Sequence, residues 1–196
     1  MDRLTPGRRQ RGVSLIEVLV AMLIVSLGVL AMAGLLATAS RYGRTSEFRA
    51  VATLLANDMA DRIRANKAAL DDRLAGGALT NYDMTGGYDT WADEPADPAA
   101  CDIATECRVD EIAAQDRAAW AHAVFTGLPG GAGFVSVSEP LAAVGADSRR
   151  NFTADIWVAW LDPDADDDQP VAENECPEAF RGQTPQPRCA FFRVGL

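Results

Sequence analysis

The most constraining feature of this 196-residue chain is an uncharged stretch close to its N-terminus. Residues Val18 to Ser40 include no Asp, Glu, Lys or Arg. As a helix, this stretch is roughly 35 Å long, against about 30 Å for the hydrocarbon core of a bilayer. The segment is therefore long enough to span a membrane.

Positive charge is concentrated immediately before this stretch. Residues 1–12 carry four arginines against one aspartate, a local charge of +3, whereas the whole chain has a formal charge of −10. Basic residues that precede a span place the N-terminus in the cytoplasm and the remainder of the chain outside. Because the remainder is acidic, it repels phosphate backbones, so we expect no nucleic-acid partner.

A basic start followed by an apolar stretch also describes a cleavable secretory signal. Cleavage sites of the small-residue type end at Ala33 and at Ala39, and use of either would release a soluble secreted binding module. Two features oppose this interpretation. The apolar stretch is longer than the 7 to 15 residues usual in such signals, and the carboxylate of Glu17 lies near its start.

The run RGVSLIEVLVA, residues 11–21, resembles the class III signal of type IV pilins and pseudopilins. The resemblance implies that a prepilin peptidase cuts between Gly12 and Val13 and then methylates the new amino group of Val13. It also implies that Glu17 sets the register of the subunit during assembly. The chain departs from the family at Val13, where phenylalanine or methionine is preferred.

Physical chemistry supplies a partner for Glu17 after such a cut. The free α-amine of Val13 would be a cation at the edge of an apolar bundle, and Glu17 lies four residues further along the helix or can reach a neighbouring subunit. Pairing spares both ions a desolvation penalty of several kcal/mol each. This ion pair is a mechanism for register.

The helical pattern continues beyond the apolar stretch. Apolar residues recur at spacings of mostly three or four up to Leu74, which predicts one helix over residues 13–74 with residues 18–40 in the membrane. On the opposite face, the spacing predicts ion pairs between Asp58 and Arg62 and between Asp61 and Arg64. The apolar positions of the outer half are Phe48, Val51, Ala52, Leu55, Met59, Ile63, Leu70 and Leu74.

Residues 75–196 have the composition of an exported globular head. A turn-rich segment comes first, and a second helical stripe from Val109 to Leu128 then ends at Pro129-Gly130-Gly131. Alternating residues predict strands at 134–138, 152–160 and 189–194. We therefore expect an α+β, type IV pilin-like fold, in which a cleaved leader (1–12) precedes a long helix (13–74) packed on an antiparallel sheet with a second short helix.

Four cysteines, all in the head, suggest two disulfides in an oxidising compartment. Three pairings are possible, and we favour the local one, Cys101 with Cys107 and Cys176 with Cys189. The second bond would join an acidic, proline-rich loop to the last strand, as a disulfide-bounded loop near the C-terminus does in many pilins. The spacings match no common zinc site.

Neither catalysis nor a cofactor is expected. No nucleophile or zinc-protease motif is present, and the lone His122 is on the short helix without a catalytic partner. The nearest approach to a metal site is an acidic turn with oxygen ligands at positions 1, 3, 5, 7 and 12, in the order of a calcium loop. It lacks the turn glycine, and we favour a solvated turn. The weak calcium candidates are Asp162, Asp164, Asp166, Asp168 and Glu173.

Three further segments are similar to a subfamily of minor pilins, the type IV pilus modification proteins of the PilV type. They are residues 58–66, Trp120 with residues 128–131, and the ending at residues 189–194. The resemblance implies a partner set of other minor pilins, the major pilin, prepilin peptidase and the inner-membrane assembly machinery. It implies a single-pass inner-membrane precursor that primes pilus assembly with other minor pilins and moves into a surface pilus supporting motility and adhesion. A type II secretion pseudopilin is the alternative with the same signal.

Overall fold

The computed structural model of the protein describes Gly12, Pro95 and residues 14–71, 80–91, 107–138, 152–162 and 175–196. Three α-helices and three strands are present in these ranges. They are α1 (Leu15–Ala65), α2 (Ala68–Asp71), α3 (Val109–Gly127), β1 (Ala132–Ser138), β2 (Thr153–Trp160) and β3 (Arg188–Gly195). Single 3₁₀ turns occupy Tyr88–Trp91 and Glu178–Phe180.

The chain divides into two compact units, Met1–Arg44 and Thr45–Leu196, which we call the N-terminal unit and the head. Helix α1 contributes residues to both. In the N-terminal unit it is continuous through Gly28, Gly34 and Gly43, although each glycine costs up to about 1 kcal/mol relative to alanine in a helix. Intrinsic propensity therefore does not interrupt the helix at these positions.

Within the head, α1 presents a stripe of small residues to the core. Ala52, Ala56 and Ala60 are almost fully buried, together with the larger Met59 and Ile63. Side chains that end at Cβ let neighbouring elements approach the helix backbone closely, and the longer pair fills the space beside them. Phe48, Val51 and Leu55, which were predicted on this stripe, pack at its margin.

Helix α1 ends at Ala65, nine residues before the predicted end at Leu74. Asn66 and Lys67 form a turn, and the following amides bond three residues back, from Ala69 N–H to Asn66 O and from Leu70 N–H to Lys67 O. The tighter turn carries Ala69 and Leu70 into the core. The side chain of Asn66 donates to Val109 O at 2.8 Å, which holds the turn against the start of α3. Leu74 itself lies outside the described residues.

Helix α3 agrees with its prediction at both ends. Glu111, in its first turn, accepts a hydrogen bond from the backbone N–H of Arg108 at 2.9 Å, as in a capping box. After Gly127 the chain turns through Pro129, Gly130 and Gly131, and Gly130 has a φ of 56°. A Cβ on Gly131 would lie 2.1 Å from Val124 O, so this turn requires glycine.

The strands form one antiparallel sheet in the order β1-β2-β3. As the alternation predicted, Ala154, Ile156, Val158 and Trp160 of β2 are buried on the face toward the helices. The other side of the sheet carries an aromatic row, in which Trp157 is directly opposite Phe134 on β1 and Phe191 on β3. Ring centroids in this row are 5.4 Å and 4.6 Å apart.

The β1 side of the sheet is extended by two residues of the loop that follows Thr80. Met84 and Val135 exchange two backbone hydrogen bonds, of 2.8 and 3.0 Å. The carboxylate of Asp83 accepts a third from Val137 N–H at 2.8 Å. These contacts satisfy backbone groups that an edge strand would otherwise leave unpaired.

The architecture is thus the predicted α+β, pilin-like one: a long helix, apolar over its N-terminal part, packs through its C-terminal part on a three-stranded antiparallel sheet. The indole of Trp120, on α3, connects α3 with α1 and β1. It is fully buried, lies against Gly133 of β1 and donates from Nε1 to Leu55 O of α1 at 2.8 Å.

We predict that Gly133→Ala destabilises the protein by about 1–3 kcal/mol. A Cβ at this position would lie 2.3 Å from Trp120 Cζ3, so the indole would have to leave its place between the elements. Gly127→Ala is the matched control, because its Cβ would meet Val51 Cγ1 at an ordinary 3.7 Å. Denaturant unfolding of the full chain in detergent micelles measures both, and equal losses would contradict the prediction.

Candidate functional site

The candidate assembly segment is the part of α1 in the N-terminal unit. It is the single helix among the described residues that is long and apolar enough to cross a membrane, with a mean hydropathy of 2.7 over its best window. Large apolar side chains are exposed along it, from Leu15 at 78% to Leu36 at 74%. A helix that is apolar and exposed on all sides requires a nonaqueous environment, either lipid or other helices.

Two hydroxyl side chains inside this segment bond to the backbone of the helix itself. Ser26 Oγ donates to Leu23 O at 2.8 Å, and Thr38 Oγ1 donates to Gly34 O at 3.0 Å. Hydroxyl groups bonded back to their own helix leave no unpaired donor in an apolar environment, where such a group costs several kcal/mol. These residues therefore do not prevent the segment from entering a membrane.

Glu17 lies in the first turn of α1, where the helix dipole favours a negative charge. Its own N–H and that of Val18 bond to Ser14 O at 3.0 and 3.3 Å, which begins the helix immediately before the carboxylate. Glu17 is exposed, and its carboxylate has no polar partner in the described part of the chain. Its predicted partner, the amine of Val13, lies outside the described residues and exists only after cleavage.

Gly12 is exposed and precedes the helix, and no atom lies within 4 Å of the position of a Cβ built on it. The expected scissile bond therefore begins at a residue that the folded chain does not cover. Arg11 and Val13 on either side of it lie outside the described residues.

In the head, a polar cluster of Arg62, Asp116 and Tyr82 ties α1 to α3 and to the loop after Thr80. Arg62 donates to Asp58 at 2.9 Å, the predicted pair, and also to Asp116 at 3.2 Å. The Tyr82 hydroxyl donates to the other oxygen of Asp116 at 2.6 Å. Burial and then this hydrogen bond raise the pKa of the Tyr82 phenol well above its ordinary value.

Sequence reasoning missed this cluster, because it paired Arg62 only with Asp58. A signal was present in α3, where Ala113, Asp116, Trp120 and Val124 follow one another at spacings of three and four. Such spacing places Asp116 on the same face as three buried apolar residues. A carboxylate on a buried stripe indicates a partner elsewhere in the fold. The second predicted pair, Asp61 with Arg64, is present at 3.0 Å.

The disulfide between Cys176 and Cys189 is present, with a Cα–Cα distance of 5.2 Å. It joins the segment before the second 3₁₀ turn to the beginning of β3, as expected. Cys107 is also disulfide-bonded, and its expected partner Cys101 lies outside the described residues. The bond between Cys176 and Cys189 lies at the end of the aromatic row, where both cysteines and Phe180 form one buried cluster.

Of the five calcium candidates in the acidic turn, Asp162 lies within the described residues. Asp162 Oδ2 accepts a hydrogen bond from Thr45 Oγ1 at 3.3 Å, whereas Asp164, Asp166, Asp168 and Glu173 lie outside the described residues. In the described ranges no three His, Cys, Asp or Glu side chains come together as a metal site. His122 is half-buried on α3, and its carbonyl accepts a hydrogen bond from Thr126 Oγ1.

A family model of known proteins matches the N-terminal part of the chain. The prokaryotic N-terminal methylation motif matches residues 7–33, which include the expected cleavage junction, Glu17 and much of the apolar segment. The match supports a type IV pilin-like protein, pilus subunit or pseudopilin, of a structural and non-enzymatic class. No curated protein and no solved structure matches the chain significantly.

The motif and the helix together fit membrane anchoring before pilus assembly, and the motif implies association with the assembly machinery. The assignment to this class of protein therefore rests on the N-terminal part of the chain. The head adds an α+β fold of the pilin type and a disulfide.

We predict that Tyr82→Phe destabilises the protein by about 1.5–3 kcal/mol at neutral pH, because the half-buried carboxylate of Asp116 loses a charge-assisted hydrogen bond. Since folding raises the pKa of this phenol, its contribution is complete below about pH 10 and decreases as the pH rises further. The difference in unfolding free energy between wild type and Tyr82→Phe should therefore narrow by up to about 1.4 kcal/mol per pH unit above pH 10. Denaturant unfolding from pH 8 to about pH 11 tests this, and a constant difference would contradict it.

Proposed function

We propose that this protein is a minor pilin of a type IV pilus, of the PilV type. The observation that carries the proposal is the class III signal at residues 7–33, followed directly by an apolar helix whose side chains are exposed. In the proposal a leader, residues 1–12, is removed and residues 18–40 hold the precursor in the inner membrane. The head then lies on the periplasmic side, in keeping with the basic residues before the span.

Assembly in this proposal depends on Val13 and Glu17. Prepilin peptidase cuts between Gly12 and Val13 and methylates the new amine, which creates a cation close to Glu17. An unpaired carboxylate that enters an apolar bundle meets a desolvation penalty of several kcal/mol. The penalty is removed only where an amine is within reach, so the pair selects one axial position for the subunit among the other minor pilins and the major pilin.

Gly12→Glu should abolish processing, because it places a bulky charged residue at the cut. The expected result is a precursor that retains residues 1–12, whereas the wild-type protein begins with N-methylated Val13. Intact mass and N-terminal sequencing of membrane-extracted protein measure both species. A mature N-terminus after Ala33 or Ala39 would instead show ordinary signal cleavage and overturn the proposal.

Glu17→Ala should be processed normally and yet fail to enter filaments, because the register contact is lost while the cleavage site is intact. Glu47→Ala is the matched control, since Glu47 is also an exposed glutamate of α1 but lies outside the apolar segment. Immunoblots of sheared pili measure incorporation. Wild-type incorporation of Glu17→Ala would contradict the proposed role of this carboxylate.

A deletion strain separates a pilus subunit from a type II secretion pseudopilin, which would have the same signal. Loss of surface pili and twitching motility with normal protein secretion supports the proposal. The reverse result would assign the chain to the secretion system.

A further inference from the structure

The head contains a cavity of about 400 Å³ beside α3, which we call the Arg117 cavity. This volume falls in the range of pockets that hold small ligands. Apolar groups form much of its wall, namely Met84, Trp91, Ala121 and Gly133, and Arg117 brings a cation to it. Nothing in the assembly segment or in the polar cluster of Arg62, Asp116 and Tyr82 uses this space.

Arg117 is poorly paired for a half-buried arginine. Its Nη1 donates to Asp83 O at a long 3.4 Å, and its Nε is buried without a hydrogen-bond partner. Among the described residues, none of the ion pairs includes the Arg117 guanidinium. Buried polar groups are nearly always hydrogen-bonded, so an unpaired guanidinium N–H at a cavity indicates a missing acceptor.

The nearby carboxylate of Asp83 does not fill that role. One of its oxygens accepts from Thr80 N–H within the loop, and the other accepts from Val137 N–H and holds the loop against β1. Two further residues of the wall, Thr85 and Gly86, are exposed, and their backbone N–H groups have no acceptor within the described segments.

We propose that the Arg117 cavity binds a carboxylate carried on an apolar body. The guanidinium presents parallel N–H groups that match the two oxygens of a carboxylate, and such charge-assisted bonds are stronger than neutral ones. The apolar wall, with the indole of Trp91, accommodates the body that carries the carboxylate. The same chemistry is offered by a free organic acid and by an acidic side chain of a neighbouring pilus subunit.

Benzoate is the probe, and benzamide is its matched control because it has the same shape without the charge. Because benzoate is small, we expect it to bind the full chain in detergent micelles with a Kd of about 1–10 mM. We expect benzamide to bind at least about tenfold more weakly. The readout is NMR of the Arg117 side-chain and Trp91 indole resonances. Equal binding of the two probes, or no binding of benzoate, would overturn the proposal.

Arg117→Met should remove benzoate binding while it keeps the aliphatic part of the side chain. Arg49→Met is the control, because Arg49 is an exposed arginine of α1 that does not line the cavity. Denaturant unfolding of each variant verifies that the head is folded, and Arg117→Lys should restore weak binding. Benzoate binding by Arg117→Met equal to that of wild type would overturn the proposal.

Two further arms identify the source of the carboxylate. If a neighbouring subunit supplies it, Arg117→Met lowers incorporation into pili; if a free acid supplies it, incorporation is unchanged. This arm rests on the proposed function, whereas the benzoate titration does not. If the combined substitution Asp93→Asn, Glu94→Gln and Asp97→Asn tightens benzoate binding, the chain's own acidic residues compete for Arg117, and an external carboxylate is no longer required.

Discussion

The packing of the head depends on the indole of Trp120. Its N–H bonds to the carbonyl of Leu55 in the C-terminal part of α1, its ring lies against the backbone of Gly133 in β1, and its own backbone belongs to α3. The close approach of ring and strand is possible only because residue 133 has no side chain. One buried side chain therefore sets the distances among two helices and the sheet, and the smaller contacts of the core are arranged around it.

Helix α3 distributes its side chains among three tasks. Trp120 and Val124 pack in the core, and Asp116 accepts hydrogen bonds from Arg62 and Tyr82. Arg117 is not part of this polar cluster and instead lines the cavity on another side of the helix. The same short helix thus stabilises the head and carries the one binding site that we propose for it. Tests of binding at Arg117 must accordingly be accompanied by measurements of stability.

The sequence predicted those features that depend on local patterns. The spacing of the apolar residues predicted α1, α3 and the strands, and the spacing of the charges predicted the pairs of Arg62 with Asp58 and of Arg64 with Asp61. It placed the end of α1 too late, because the turn at Asn66 depends on a hydrogen bond to Val109, 43 residues away. Tyr82, Asp83 and Arg117 were missed for the same reason, since their partners are brought together only by the fold.

The alanine stripe of α1 nearly repeats itself. Ala52, Ala56 and Ala60 recur every four residues, and so do Met59 and Ile63. A slide of the helix by four residues, about 6 Å, would place small residues on small ones and large on large, so the apolar contacts alone distinguish the two positions poorly. The ion pair of Arg62 with Asp116 has no such repeat, because residues 58 and 66 are Asp and Asn, and it determines where along its axis the helix comes to rest.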